Sequence, residues 1–392
     1  MLLLSKRESL KQMDKQLSSR LDIIRGYAAF FVLLAHTNGW FIMPLTGFGS
    51  PSHIVLSSLA HFSVLIFFVL SGFVITNSLL RNKQQYTFIN PWAYLKARAL
   101  RVLPPFFFAL LLSLAVGLII IVFDLHGSKT FRTPHDLYVA RESVEFNTTD
   151  ILATAFLSNG IIKDTTAIST DGPLWSLSIE VWLYGIALVA AIATEKRFKS
   201  PILLALVIGL LIWQFPRANS LTIYACYWAL GSAVRIIMNY PERMKLFKAI
   251  LFLIFSLGAI IAAVFPQKVF PFLWVGAAAA PVNLSILILL IFLFSKYKGA
   301  TPRVFARTGS VLARCSYTLY LIHFPLLLFF FSFFHVVFLD FSTWNKVLFL
   351  LILDTAIIAI AYYCASMLED RKLWSRLLGN LFSFRVIPVK PV

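Results

Sequence analysis

The chain has 392 residues, 59% of them hydrophobic and only 13% charged, where a soluble domain carries roughly 25% charged residues. Its formal net charge of +18 does not signal nucleic acid as a partner, because the Lys and Arg residues fall in short clusters between apolar runs, a pattern that orients a membrane protein. The three cysteines, Cys226, Cys315 and Cys364, each lie in or beside an apolar run with no CxxC or His/Cys spacing, which argues against a metal site and against a disulfide framework.

Residues 1–20 are polar and basic, unlike a cleaved signal peptide, and are expected to form a cytoplasmic N-terminal segment. About ten apolar stretches follow that approach the length needed to cross a hydrocarbon core of about 30 Å. They fall at 22–43, 60–80, 102–123, 174–193, 201–215, 219–237, 249–265, 272–294, 312–335 and 345–367. The fifth is short enough to tilt or insert partly, and the eighth contains Pro281, which is expected to kink it. The longest polar interval, Asp124 to Gly172, still carries apolar runs such as Ile151 to Leu157 and is no separate domain. The predicted fold is therefore all-α: one polytopic membrane domain over 21–367, an extracytoplasmic loop at 124–172, and a cytoplasmic tail at 368–392. With both termini cytoplasmic, 28 of the 35 Lys and Arg residues fall on the inner side, an asymmetry that a shifted helix count would destroy. No internal repeat or inverted symmetry of the secondary-transporter kind is visible.

Ionisable groups inside spans are costly and mark functional positions. In the first span Arg25 and His36 are eleven residues apart, about 16 Å of helical rise and about 20° of rotation, so they share one face. Asp22 lies near that stripe and is placed to pair with Arg25. On residue pattern alone, His36 also fits a packed histidine bonded to a carbonyl, and Arg25 a topology anchor. In the fourth span Ser176, Glu180 and Tyr184 form one polar face. His36 and Glu180 both fall in the outer half of the bilayer by the predicted topology and could meet. A carboxylate accepting one imidazole N–H fixes the tautomer and leaves the other nitrogen free as base or nucleophile; a structural hydrogen bond between helices is the plainer reading of Glu180.

Four further features complete the pass. Arg98 and Arg101, at i,i+3 in the basic interval between spans two and three, can address one phosphate jointly, or serve topology alone. Ser71 and Gly72 in the second span allow close helix approach. His323, beside Pro325 in the ninth span, either lines a cavity or bonds the carbonyl that the proline frees. Asp354, in the tenth, needs a partner that the sequence does not name.

In order along the chain, these motifs resemble those of the acyltransferase family 3 membrane proteins, which transfer acyl groups, often acetyl, to extracytoplasmic glycans and related molecules. The motifs are Arg25 and His36 in span one, the Ser-Gly-Phe of Ser71, Gly72 and Phe73, the Arg-x-x-Arg of Arg98 and Arg101, the WSLSIE segment with Glu180, and the Tyr-x-x-His-x-Pro of Tyr320, His323 and Pro325. The resemblance implies a catalytic His36 supported by Glu180, and Arg25, Arg98 and Arg101 as contacts to acyl-coenzyme A, acetyl-coenzyme A in the usual case, with no metal. Ser71, Tyr320 and His323 are implied to bind substrate or hold the site. It implies a glycan or small hydroxyl acceptor and a place in the bacterial inner membrane. A flippase or transporter for a lipid-linked saccharide is the rival class; it would use the same buried polar groups without making a bond.

Overall fold

The computed structural model describes residues 2–47, 50–125, 144–162, 164–195, 209, 220–238 and 303–377. Among these residues the regular structure is all helical. Ten helices are labelled here in chain order: α1 (Leu2–Thr37), α2 (Met43–Thr46), α3 (Pro51–Tyr86), α4 (Pro91–Val122), α5 (Thr148–Ala155), α6 (Leu174–Ala193), α7 (Ser220–Ile237), α8 (Arg303–Asp340), α9 (Thr343–Leu368) and α10 (Arg371–Leu377). A π-helical turn, Asn38–Ile42, joins α1 to α2, and a 3-10 turn, Ser169–Asp171, precedes α6.

Six described stretches are long and apolar enough to cross a membrane: Leu17–Thr46, Pro51–Tyr86, Pro91–Val122, Leu174–Ala193, Arg303–Asp340 and Thr343–Leu368. Each covers one of the spans predicted from sequence, and α7 covers a seventh, 219–237. Apart from residue 209, the predicted span at 201–215 lies outside the described residues, as do those at 249–265 and 272–294, with Pro281, and 126–143 of the long loop.

The helices run past their hydropathy windows because their starts are locally encoded. Ser50 caps α3 by accepting from the His53 amide at 3.4 Å, and Asn90 caps α4 by accepting from the Ala93 amide at 3.1 Å. Each is followed at once by a proline, Pro51 or Pro91, whose fixed φ suits a first helical turn. Between them Thr87 takes φ 64°, and Asn82 and Asn90 bond reciprocally at 2.7 and 3.1 Å. The basic interval predicted between spans two and three thus shrinks to a short turn, and Arg98 and Arg101 stand on the opening turns of α4.

Lipid gives no hydrophobic drive for helices to associate, so close packing must do it. Two crossings depend on glycine. A Cβ on Gly26 would collide with the Gly309 carbonyl, and one on Gly309 with Ile23 and Tyr27, which seats α1 along α8. A Cβ on Gly72 would strike the Trp228 carbonyl, and one on Gly231 the Val69 carbonyl, which seats α3 along α7. The close approach predicted at Ser71-Gly72 is this second crossing. At the far end, Phe41, Phe331, Phe338 and Phe349 pack edge to face around centroid separations of 5.1 to 5.6 Å, a favourable geometry for aromatic rings. The described parts of the 124–172 interval are folded into this core: Val144, Leu157 and Ile168 join it, and Asn159, Thr170 and Asp171 have no exposed surface.

Candidate active site

Two adjoining cavities occupy the centre of the described helices. The first, about 90 Å³, is lined by Arg25 of α1, Ser71 of α3, Arg98 and Arg101 of α4, Glu180 of α6 and Tyr320 of α8, among others. The second, about 450 Å³, is lined by His36 and Trp40, by His53 and His61 of α3, by Trp175 of α6 and by Tyr224 of α7. Val64 and Tyr320 line both.

In the arginine cavity Arg25 and Arg98 are each braced by neighbours. Arg25 pairs with Asp22 at 3.2 Å, the partner its spacing predicted, and its Nε donates to Ser316 Oγ at 3.0 Å. Arg98 donates from Nη2 to Ser78 Oγ at 3.3 Å and lies 5.9 Å over the Tyr94 ring. Its Nε is buried and makes no hydrogen bond among the described residues, a donor of the kind that an anionic ligand satisfies. Ser71 Oγ accepts from Trp228 Nε1 at 3.3 Å, a link within the α3–α7 crossing.

The polar face of α6 turns into the same cavity. Ser176, Glu180 and Tyr184 all line it, and Tyr184 donates to Glu180 Oε1 at 2.6 Å. Ser176 Oγ meets the Tyr320 hydroxyl at 2.7 Å, a bond between α6 and α8 beside the boundary of the two cavities.

His36 stands on the other side of that boundary. The π-helical turn begins two residues after it, widening the helix where the cavity opens, and such turns recur at functional sites. Its ring lies 5.1 Å from that of His323 and 5.2 Å from Phe324. His36 and Glu180 therefore face two adjoining cavities rather than one, with Tyr320 lining both. His323 is buried, and its Nδ1 bonds the carbonyls of Leu319 and Tyr320. The carbonyl a proline frees is that of the residue four before it, here Leu321, so His323 does not bond the carbonyl that Pro325 frees, and α8 is helical through Pro325. Asp354 finds its partner in Thr37, whose hydroxyl donates to Oδ1 at 2.6 Å, one residue from His36.

Sequence reasoning passed over His53 and His61. His53 lies before the predicted second span and His61 at its very start, yet on a helix they are eight residues apart and near one face, and that spacing was the available signal. Just outside the spans, burial holds the Asp171 carboxyl well above the usual carboxylate range, a pull lessened by its bond from Ser113 at 3.3 Å. Among the described residues, no group of three or more His, Cys, Asp or Glu side chains is arranged to hold a metal ion.

Residues 18–365 match the acyltransferase domain of the acyltransferase 3 family. The chain belongs to that family. No curated protein and no solved structure matches it. It is accordingly a membrane acyltransferase, and the match takes in every residue of both cavities named above.

Proposed function

We propose that this acyltransferase moves an acyl group, acetyl in the first instance, from acyl-coenzyme A to a hydroxyl of an extracytoplasmic glycan or a related acceptor. It would do so in the bacterial inner membrane, with both termini cytoplasmic. The observation that carries the reading is that a cavity lined by three arginines adjoins a cavity lined by His36. Arg25, Arg98 and Arg101 suit the donor's phosphates, since guanidinium matches phosphate geometry and remains charged. The rise from Arg25 to His36, about 16 Å, is of the order of a pantetheine arm. The larger cavity, lined by Trp40, Trp175 and Tyr224 with His53 and His61, offers aromatic faces and hydrogen-bonding tips to a sugar.

In this reading His36 belongs to the acceptor. It lines the acceptor's cavity and not the arginine cavity, which suits a general base more than a covalent carrier. One ring nitrogen of His36 takes the hydroxyl proton as the oxygen attacks the thioester carbonyl. The C–O bond forms, the C–S bond breaks, and the thiolate departs with a proton as free thiol. Glu180 acts from the donor side, where its carboxylate is held by Tyr184, and Tyr320 stands between donor and acceptor.

The test is transfer of radiolabelled acetyl from acetyl-coenzyme A in membranes carrying wild type or His36→Ala, with the host's surface glycan present. Wild type should label glycan, and His36→Ala should fall by about 10²-fold or more, the usual worth of a general base. Full transfer by a normally expressed His36→Ala variant would overturn the assignment. A wild type that neither binds nor consumes acyl-coenzyme A would favour transport of a lipid-linked saccharide.

A further inference from the structure

His323 is 1% exposed and lines neither cavity, yet its ring is 5.1 Å from His36, centroid to centroid. Its Nδ1 lies 2.8 Å from the Tyr320 carbonyl oxygen and 3.1 Å from that of Leu319. Carbonyls only accept, so Nδ1 carries the proton and Nε2 holds a lone pair. Both carbonyls belong to the backbone of α8, so the tautomer is fixed by the helix and does not depend on any mobile side chain. Nε2 is itself buried and makes no hydrogen bond among the described residues. A buried acceptor without a partner is costly, and such a group in a native site calls for a reason.

We propose that His323 is a positioning residue for His36: its buried Nε2 accepts, directly or through one water, from the ring N–H of His36 that takes no part in the chemistry. The inference rests on His36 being the general base. When His36 takes the hydroxyl proton its ring becomes cationic, and an acceptor fixed behind it stabilises that cation and holds the ring's orientation, the part a carboxylate plays in a catalytic triad. A neutral imidazole does this without placing a second permanent charge in the bilayer, where charge is expensive. His323 does not relay the proton onward, because its own N–H is committed to two carbonyls. The crossing of α1 on α8 at Gly26 and Gly309 fixes the two helices that carry the two rings.

Other ionisable groups face His36. His53 and His61 of α3, Tyr224 of α7 and Tyr320 of α8 line its cavity, and Asp354 of α9 is bound to the adjacent Thr37. All are kept in the variants that test the idea. His323→Leu removes the acceptor. His323→Asn keeps a donor near the Nδ1 position but lacks the acceptor at Nε2, and His323→Gln places an amide oxygen near Nε2.

Each variant is assayed for acetyl transfer across pH, with purified-protein melting as the check on folding. Leu and Asn should lower kcat by about ten- to a hundredfold, the kinetic equivalent of one charge-assisted hydrogen bond, with KM for donor and acceptor nearly unchanged. The acid limb of kcat should move to lower pH in both, because the cationic form of His36 has lost its acceptor. Gln should restore most of the rate and return the limb. Folded Leu and Asn variants with a wild-type acid limb would overturn the proposal, as would equal impairment by all three with no movement of the limb. If Leu does not fold, the Asn and Gln pair decides. An active His36→Ala variant would instead remove the reading on which the proposal stands, and is scored separately.

Discussion

Asp171 shows how far a single residue can depart from its expected chemistry. It is fully buried, its Oδ2 accepts from Ser113, and its Oδ1 has no partner among the described residues. Burial raises its carboxyl pKa, so the folded protein binds this proton more tightly than the unfolded chain, whose value is about 3.9. The stabilisation is complete below the unfolded value and is lost as pH rises through the folded one. Wild-type thermal stability should therefore decline as pH rises from about 4, with a slope of up to about 1.4 kcal/mol per pH unit from this group. Asp171→Asn should flatten that slope, and melting curves at stepped pH would check it; an unchanged slope would mean that Asp171 is ionised in the folded state. Nothing in the sequence distinguished this aspartate, because its burial comes from α4 and the turn before α6 meeting in space. By contrast, the Arg25–Asp22 pair and the Ser176–Glu180–Tyr184 face were legible, since helix geometry alone relates residues three and four apart. The meeting of His36 with Glu180 was an inference from depth in the bilayer. Depth does not say which helix faces which, and the two side chains line neighbouring cavities.

At the scale of elements, hydropathy located the spans it could test, and local chemistry set their ends. Serine or asparagine followed by proline marks the starts of α3 and α4, and both marks are readable in the sequence. Hydropathy misses the polar turns that continue a helix beyond hydrocarbon, which is why Arg98 and Arg101 were expected ahead of a span and are found on α4 itself. The α3–α7 crossing gives the sharpest test at this scale. Gly72 leaves no room for a side chain beneath the Trp228 carbonyl, and Ser71 beside it lines the arginine cavity. Gly72→Leu should separate the helices, destabilise the protein by about 1–3 kcal/mol as overpacking usually does, and lower donor affinity. A melt in detergent with a parallel titration of acyl-coenzyme A would read both; a wild-type melt would mean that the crossing yields without cost.

At the scale of the whole molecule, two cavities adjoin among the described residues, with Val64 and Tyr320 lining both. Donor and acceptor can then be bound together, and transfer should follow a sequential course. Initial rates measured over both substrates should give intersecting double-reciprocal lines, with no burst of acyl-enzyme in the absence of acceptor. Parallel lines with a trapped acyl-histidine would instead make His36 a covalent carrier. This arrangement was not legible in the sequence: spacing gave the distance from Arg25 to His36, whereas the boundary between them is made by Tyr320 and Val64 from other helices. The hydrogen bond from Tyr320 to Ser176 has a further consequence. It ties α6 to α8 at the wall the two cavities share, so in the proposed reaction one bond between two side chains holds the donor side and the acceptor side in register.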